Sequence, residues 1–386
     1  MTDKKFINFI RKPIVAVVLA IIVGISAGAV VFFVSGFNAF EAYKIMATEI
    51  FTKPRNIAQV FVNAVPYIFT ALAFCFSAKA GLFNIGIEGQ FVIGALTGAL
   101  IGYFIPMPPV IHPVVILISA FFFGGILGSV SGFLKSKFGI HEVISTIMLN
   151  WIAHYFSNFI VNLPFVKVKG GIHTPKILDS AKINFFTTAW KRSEEGRNFI
   201  KENPFLGDIV RSDLGYGIII AIITAVIVWF ILKKTTGGFE IRAVGLNRDA
   251  AEFSGISVNK NIILTMFVSG GIAALGGAIL VMTTTNSVSV LAAQEGYGWD
   301  GMSIALIANN SPLGILPAGL FFAALRKGGS LIQSALGTPT EIINIIIGVI
   351  VLSIAVANIL NRYADFLAKK SQMTQDTDKK RGEENG

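Results

Sequence analysis

The stretch GLFNIGIEGQ (residues 81–90) sets two amides, Asn84 and Gln90, and one carboxylate, Glu88, in a segment otherwise fit for lipid. A second stretch, HEVISTIMLNWIA (141–153), has Glu142 near its start and Asn150 beside Trp151 about two turns on. A third, GWDGMSIALIANNSPLG (298–314), carries Asp300 and Asn309. Intramembrane acids carry protons or hold polar partners. Amides and aromatic faces, here with Phe83 next to Asn84, hold a neutral polar solute by hydrogen bonds and stacking. None of these groups forms a reaction centre. HEVIS starts like a zinc-protease helix, but Ser145 stands where the second histidine is needed. GISAG (24–28) matches the nucleophile-elbow pattern inside an apolar run with no strand before it. Gly24 and Gly28, four apart, read instead as a helix-packing face, as do Gly124, Gly128 and Gly132. His112, His141, His154 and His173 show no metal-ligand spacing, so no catalytic set and no metal site is expected. Without a G-x-x-x-x-G-K-[ST] loop, the chain cannot spend ATP by itself.

The elements that must position these residues are membrane spans. The chain of 386 residues is 53% hydrophobic and 14% charged, with a mean hydropathy of +0.69, too little charge to cover a soluble surface. Its formal charge of +10 lies mostly between and beyond the apolar runs. That fits orientation in a bilayer rather than binding of nucleic acid. Apolar runs at 14–34, 57–78, 86–104, 110–134, 143–163, 216–232, 261–283 and 341–361 each approach the ~20 residues that cross ~30 Å of hydrocarbon. The stretch 301–325 holds two shorter apolar pieces, broken by Asn309, Asn310, Ser311, Pro312 and Gly314, and predicts a re-entrant hairpin or two short tilted helices. The expected fold is an all-α polytopic membrane protein of eight to ten transmembrane helices with one broken segment.

Lys79, Lys135, Lys137, Lys233, Lys234 and Arg242 fall on one side, and the positive-inside rule makes that side cytoplasmic, with both termini. The expected layout is a cytoplasmic segment 1–13 and a transmembrane domain 14–361. Residues 164–215 would then be an extracytoplasmic loop, against the rule because they hold nine bases, and 362–386 a basic, disordered cytoplasmic tail. Cys75, the sole cysteine, excludes an intrachain disulfide and reads as small apolar packing. Lys79 offers a partner for Glu88 across the turn. The polar loop 233–260 contains a short helix around Asp249–Glu252, stopped by Gly255, able to pass force from a soluble partner to the spans. The Gly-interrupted segments in the two halves point weakly to a transporter with internal repeats.

Three stretches together go further: GLFNIGIEGQ, HEVISTIMLNWIA and GFEIRAVGLNRDAAEFSGISVNKNIILTMFVSGGIAALGGA (238–278). They resemble the permease subunits of bacterial ABC importers of the ribose and branched-chain amino acid type. Within these the resemblance is to the nucleoside-uptake branch, which pairs with a binding lipoprotein of the basic membrane protein family. It covers the chain from the first span to about Asn361, departing at Gly298-Trp299-Asp300, where the family normally has phenylalanine before the aspartate.

The resemblance implies a multi-pass subunit of the bacterial plasma membrane that moves nucleosides inward by alternating access. It implies a cytoplasmic ABC ATPase carrying ATP and Mg, a second and paralogous permease, and an extracytoplasmic binding lipoprotein. In this chain it implies no cofactor and no enzyme. The 233–260 loop would dock on the ATPase through Arg242, Ala243, Gly245, Asn247, Ala250, Ala251, Gly255 and Ile256. A neutral solute with a stackable base and a hydrogen-bonding sugar makes Phe83, Asn84, Glu88, Gln90, Asn150, Trp151, Asp300 and Asn309 the expected path. The alternatives are an ion-coupled secondary transporter, with Glu88, Glu142 or Asp300 as proton carriers, and an ABC permease for a sugar.

Overall fold

The computed structural model describes residues 13–354 and Val356. The expected N-terminal segment, apart from Pro13, and the tail lie outside them. Among the described residues the chain is helical, with two isolated β-bridges and no longer strand. In chain order the helices are α1 (Pro13–Val34), α2 (Ala39–Thr52), α3 (Pro54–Lys79), α4 (Ile87–Phe104), α5 (Ile111–Phe138) and α6 (Glu142–Asn162). Three short helices follow, α7 (Thr188–Arg192), α8 (Glu194–Glu202) and α9 (Pro204–Val210), and then α10 (Gly217–Lys234). Next come α11 (Thr236–Leu246), α12 (Arg248–Phe253) and α13 (Val258–Leu280), which a π turn (Val281–Thr285) extends. The last are α14 (Tyr297–Ile307), α15 (Ile315–Leu336) and α16 (Thr340–Ile354). Six of them, α3, α4, α5, α10, α13 and α15, are long and apolar enough to cross a membrane. As far as the described residues reach, every apolar run read from the sequence falls on a helix, the run 341–361 being followed only to Val356.

The described residues up to Thr48 and from Gly328 onward form one compact unit, and Glu49–Lys327 form the other. In the first, Gly24 and Gly28 are the packing face expected of them. A Cβ at Gly24 would come within 2.8 Å of Ile350 Cα, and one at Gly28 within 2.7 Å of the Tyr43 hydroxyl. In the second, α13 is the central post. Gly124 and Gly128 of α5 lie against Gly270 and Met266 of α13, and on its other side Gly94 of α4 touches the backbone of Ala274. With no hydrophobic force between helices in lipid, such backbone-to-backbone approach is what holds them. The outer helices α5 and α10 leave most of their apolar surface open to the bilayer, while α3, α4 and α13 are largely buried.

The broken segment is only partly as expected. The first apolar piece is the short helix α14, but the second opens the 22-residue α15. The sequence stops reading as a span at Leu325 because Arg326 and Lys327 follow. The helix continues because the Arg326 guanidinium turns to the Asp300 carboxylate at 2.7 Å instead of facing lipid.

Candidate functional site

A helix that starts inside the protein leaves orphan backbone groups, and the turn before α4 shows where they go. Asn84 accepts a hydrogen bond from the Gly86 amide (3.0 Å), and Asn150 of α6 accepts one from Gly89 (2.8 Å) while donating to the Ile85 carbonyl (2.9 Å). Glu142 accepts from the Phe83 amide at 3.3 Å and pairs with Lys135. The Asn84 amide donates to Gln90 Oε1 (3.0 Å) and Ser269 Oγ (2.9 Å), and Ser269 donates to the Ala73 carbonyl (2.7 Å). Asn84, Gln90, Asn150 and Ser269 are all buried. The structure brings Asn84, Gln90 and Asn150 together and spends their hydrogen-bonding capacity on closing this break.

Glu88, 1% exposed, faces the other way. Its carboxylate accepts from the amides of Gly296 (2.8 Å) and Gly298 (2.6 Å), at the N-terminus of α14. The positive end of a helix is a natural seat for an anion. These backbone donors, rather than the expected Lys79, are the partners of Glu88. Amides carry no side-chain identity, so no residue type in the sequence marks them.

This contact shows that residues 286–296 descend along α4. Ile177 donates to the Asn286 carbonyl (2.8 Å) and the next residue, Leu178, donates to the Gly102 carbonyl (2.8 Å), which places Asn286 near the level of Gly102. Gly296 lies at Glu88, about 21 Å along the helix at ~1.5 Å per residue. Non-helical backbone at this depth must be satisfied within the protein or line a cavity, and here both hold. Residues 172–177 pair antiparallel with 286–290: Thr174 donates to the Val288 carbonyl (2.9 Å), the Val288 amide to Thr174 Oγ1 (3.1 Å), and Val290 to the Ile172 carbonyl (2.8 Å). Asn158 of α6 clamps Leu291 through both its amide and its carbonyl, each at 2.9 Å.

Between the descending segment, α4 and the end of α13 is a cavity of about 320 Å³. Phe91, Val92 and Ala95 of α4 form its apolar side, Thr285, Ser287 and Ser289 bring hydroxyls, and among the described residues Glu295 is its one charged lining residue. Sequence reasoning missed this site, because NSVSVLAAQEG (286–296) reads as an ordinary small polar connector. None of the eight path residues named from the sequence lines it. Phe83 and Trp151 are 41% and 45% exposed, Phe83 edge-on to Phe74 and Trp151 stacked on Tyr155. Asn309 has φ +52° in the turn that ends α14, where the Cys75 thiol donates to the neighbouring Asn310 carbonyl at 3.2 Å.

At the opposite end, where Lys79, Lys135 and Lys233 sit, α11 and α12 form a hinged pair. Asn247 caps α12 by accepting from the Ala250 amide (3.0 Å). Gly255 at φ +82° ends α12, with the Ile256 amide reaching back to the Ala251 carbonyl (3.0 Å). Arg242 donates to the Leu232 carbonyl at the end of α10. Gly245 lies directly on the backbone of Lys79–Gly81, the turn that leads to Asn84. Ala251 is buried, Ala243 and Ile256 are half-buried, and Ala250 is exposed. Phe253 (95%) and Leu246 (89%) are among the most exposed large apolar side chains of the described chain, and the family pattern had not singled them out.

Apolar helices around a glycine-packed post, an unwound segment walling a cavity and a polar helix pair at the other end are the build of a membrane transport subunit. The chain belongs to the family of branched-chain amino acid transport system permease components, whose profile matches residues 56–355. It is similar to the guanosine ABC transporter permease protein NupP of Bacillus subtilis, 36% identical over 87% of this chain and 91% of that one. The nucleoside ABC transporter permease protein NupB of Lactococcus lactis is 35% identical over 92% and 93%. The glucose ABC transporter permease protein TsgB13 of Haloferax volcanii is 28% identical over 90% and 88%. No solved structure matches the chain. It is thus a multi-pass integral protein of the bacterial plasma membrane, a transport subunit and not an enzyme.

Proposed function

We propose that this chain is a membrane-spanning subunit of an ATP-driven importer that moves nucleosides inward by alternating access. Its partners are a separate cytoplasmic ABC ATPase, which holds ATP and Mg, an extracytoplasmic binding lipoprotein and a second, paralogous permease. The observation that carries the reading is its likeness, at 36% and 35% identity over most of each chain, to permeases named for guanosine and nucleosides, against 28% to one named for glucose. In this reading the end with α11 and α12 is cytoplasmic, together with segments 1–13 and 362–386, and residues 164–215 are extracytoplasmic. The 233–260 loop docks on the ATPase. The residues from Arg242 to Ile256 build its hinge and caps, and Leu246 and Phe253 supply the apolar contact.

The route of force is a line of direct contacts. Gly245 bears on the Lys79–Gly81 turn, that turn roots Asn84 and Glu88, and Glu88 holds Gly296 and Gly298. The segment they anchor is the cavity wall, so a shift of α11 reaches the solute without passing through the lipid-facing helices. The cavity at about 320 Å³ is at the lower end of the ~300–1,000 Å³ usual for small-molecule sites. Asn84, Gln90 and Asn150 serve the path from behind, by holding its root.

The test is uptake of labelled nucleoside by cells with and without this gene, repeated with Ala95→Phe, which fills the cavity. Loss of uptake in both cases at normal membrane abundance supports the reading. Proton-driven nucleoside accumulation by the chain alone in liposomes, without ATP or partner, would instead establish an ion-coupled carrier. Glucose uptake in place of nucleoside uptake would establish a sugar permease.

A further inference from the structure

We propose that Glu295 reads the base and selects guanine. This inference rests on the nucleoside reading and deepens it. Among the described residues lining the cavity, Glu295 is the one that is charged, and it follows the hydroxyl-bearing stretch Thr285, Ser287 and Ser289 along the same wall. Its backbone is held in place, since the next residue, Gly296, donates to Glu88. A carboxylate whose backbone is held at the cavity has fewer positions to search, which favours discrimination between similar ligands.

An ionised carboxylate only accepts hydrogen bonds, and it offers two oxygens side by side. Its complement is a ligand edge with two adjacent N–H donors. Guanine presents that edge, through N1–H and the 2-amino group. Adenine and cytosine set an acceptor beside their amino donor, and uracil flanks its single N–H with two carbonyls. Each of these brings a lone pair against a carboxylate oxygen, so the site rejects them as well as preferring guanine. Two donated hydrogen bonds favour the ionised form of the carboxylate. The apolar side built by Phe91, Val92 and Ala95 suits the body of the base, and the hydroxyls suit a sugar.

The experiment measures uptake of labelled guanosine, inosine and adenosine by cells that carry the whole importer. Wild type is compared with Glu295→Gln and Glu295→Asp, each normalised to membrane abundance by immunoblot. The binding lipoprotein is the same in all strains, so a change in the uptake ratios between strains reports the permease. Wild type is expected to favour guanosine over inosine, which lacks the 2-amino group, and over adenosine. Glu295→Gln is expected to lower the guanosine-to-adenosine ratio about tenfold, the scale of one bidentate contact, and to narrow the guanosine-to-inosine ratio. Glu295→Asp, which keeps the charge, is expected to retain part of the preference. Equal losses for all three nucleosides in Glu295→Gln, or unchanged ratios, would overturn the role of Glu295 and leave the nucleoside reading standing. Absence of nucleoside uptake in wild type would overturn both.

Discussion

Two stretches of backbone leave helical geometry at depth, and they are closed in opposite ways. Residues 80–86 are sealed by side chains: Asn84, Asn150 and Glu142 take up the loose amides, and the polar groups are buried. Residues 286–296 are held through their own backbone, by the 172–177 strap and by Asn158, Thr174 and Glu88, and beside them lies a cavity. A break closed by a dense side-chain network is rigid and easily recognised in sequence. One closed by backbone pairing leaves its side chains free to face a solute. The first is an anchor and the second a wall, and Glu88 joins them.

The largest blow to this division of labour is Glu88→Ala, which strands the amides of half-buried Gly296 and buried Gly298. Unpaired buried donors cost about 1–3 kcal/mol each, so a loss of roughly 2–5 kcal/mol is expected. It would be read as an earlier thermal unfolding in detergent, with new protease cleavage within 286–296. Glu88→Gln should lose about half as much, because its amide oxygen still accepts one of the two bonds; wild-type unfolding in both variants would refute the anchor. Asn150→Ala opens the sealed break instead, freeing the Gly89 amide and the Ile85 carbonyl. A loss of about 2–3 kcal/mol is expected, without cleavage in 286–296, and cleavage there would show that the breaks are not separable.

Much of the anchor was legible. Glycines around an amide and an acid mark a turn, and Asn150 on a helix face asks for a partner. The wall was not, for a physical reason. Its contacts are main-chain, and its composition of Ser, Val, Ala and Gln is that of any connector. The span that continues past Leu325 was hidden likewise, since only the fold shows that Arg326 meets Asp300. Hydropathy locates what faces lipid and is silent on which polar groups find each other.

Two smaller effects sharpen the contrast. Thr174→Val preserves shape but removes the acceptor of the Val288 amide, and about 1 kcal/mol of stability should go with it. A wild-type unfolding temperature would show that the ladder is carried by its other bonds alone. Phe253→Ser touches neither break, so stability should stay within about 0.5 kcal/mol, while stimulation of the partner ATPase by this subunit falls in reconstituted complexes. Full stimulation would remove Phe253 from the docking surface.

The pairing of residues 172–177 with 286–290 has a consequence for how this protein can diverge. Peptide groups are common to nearly all residues, so a wall held by them places few demands on the sequence of the strap that holds it. Apart from Thr174, whose hydroxyl takes part, and Ile177, which is buried against Gly102, the strap can drift in composition while the wall stays in register. The strap is thus free to be rewritten without redrawing the chamber beside it.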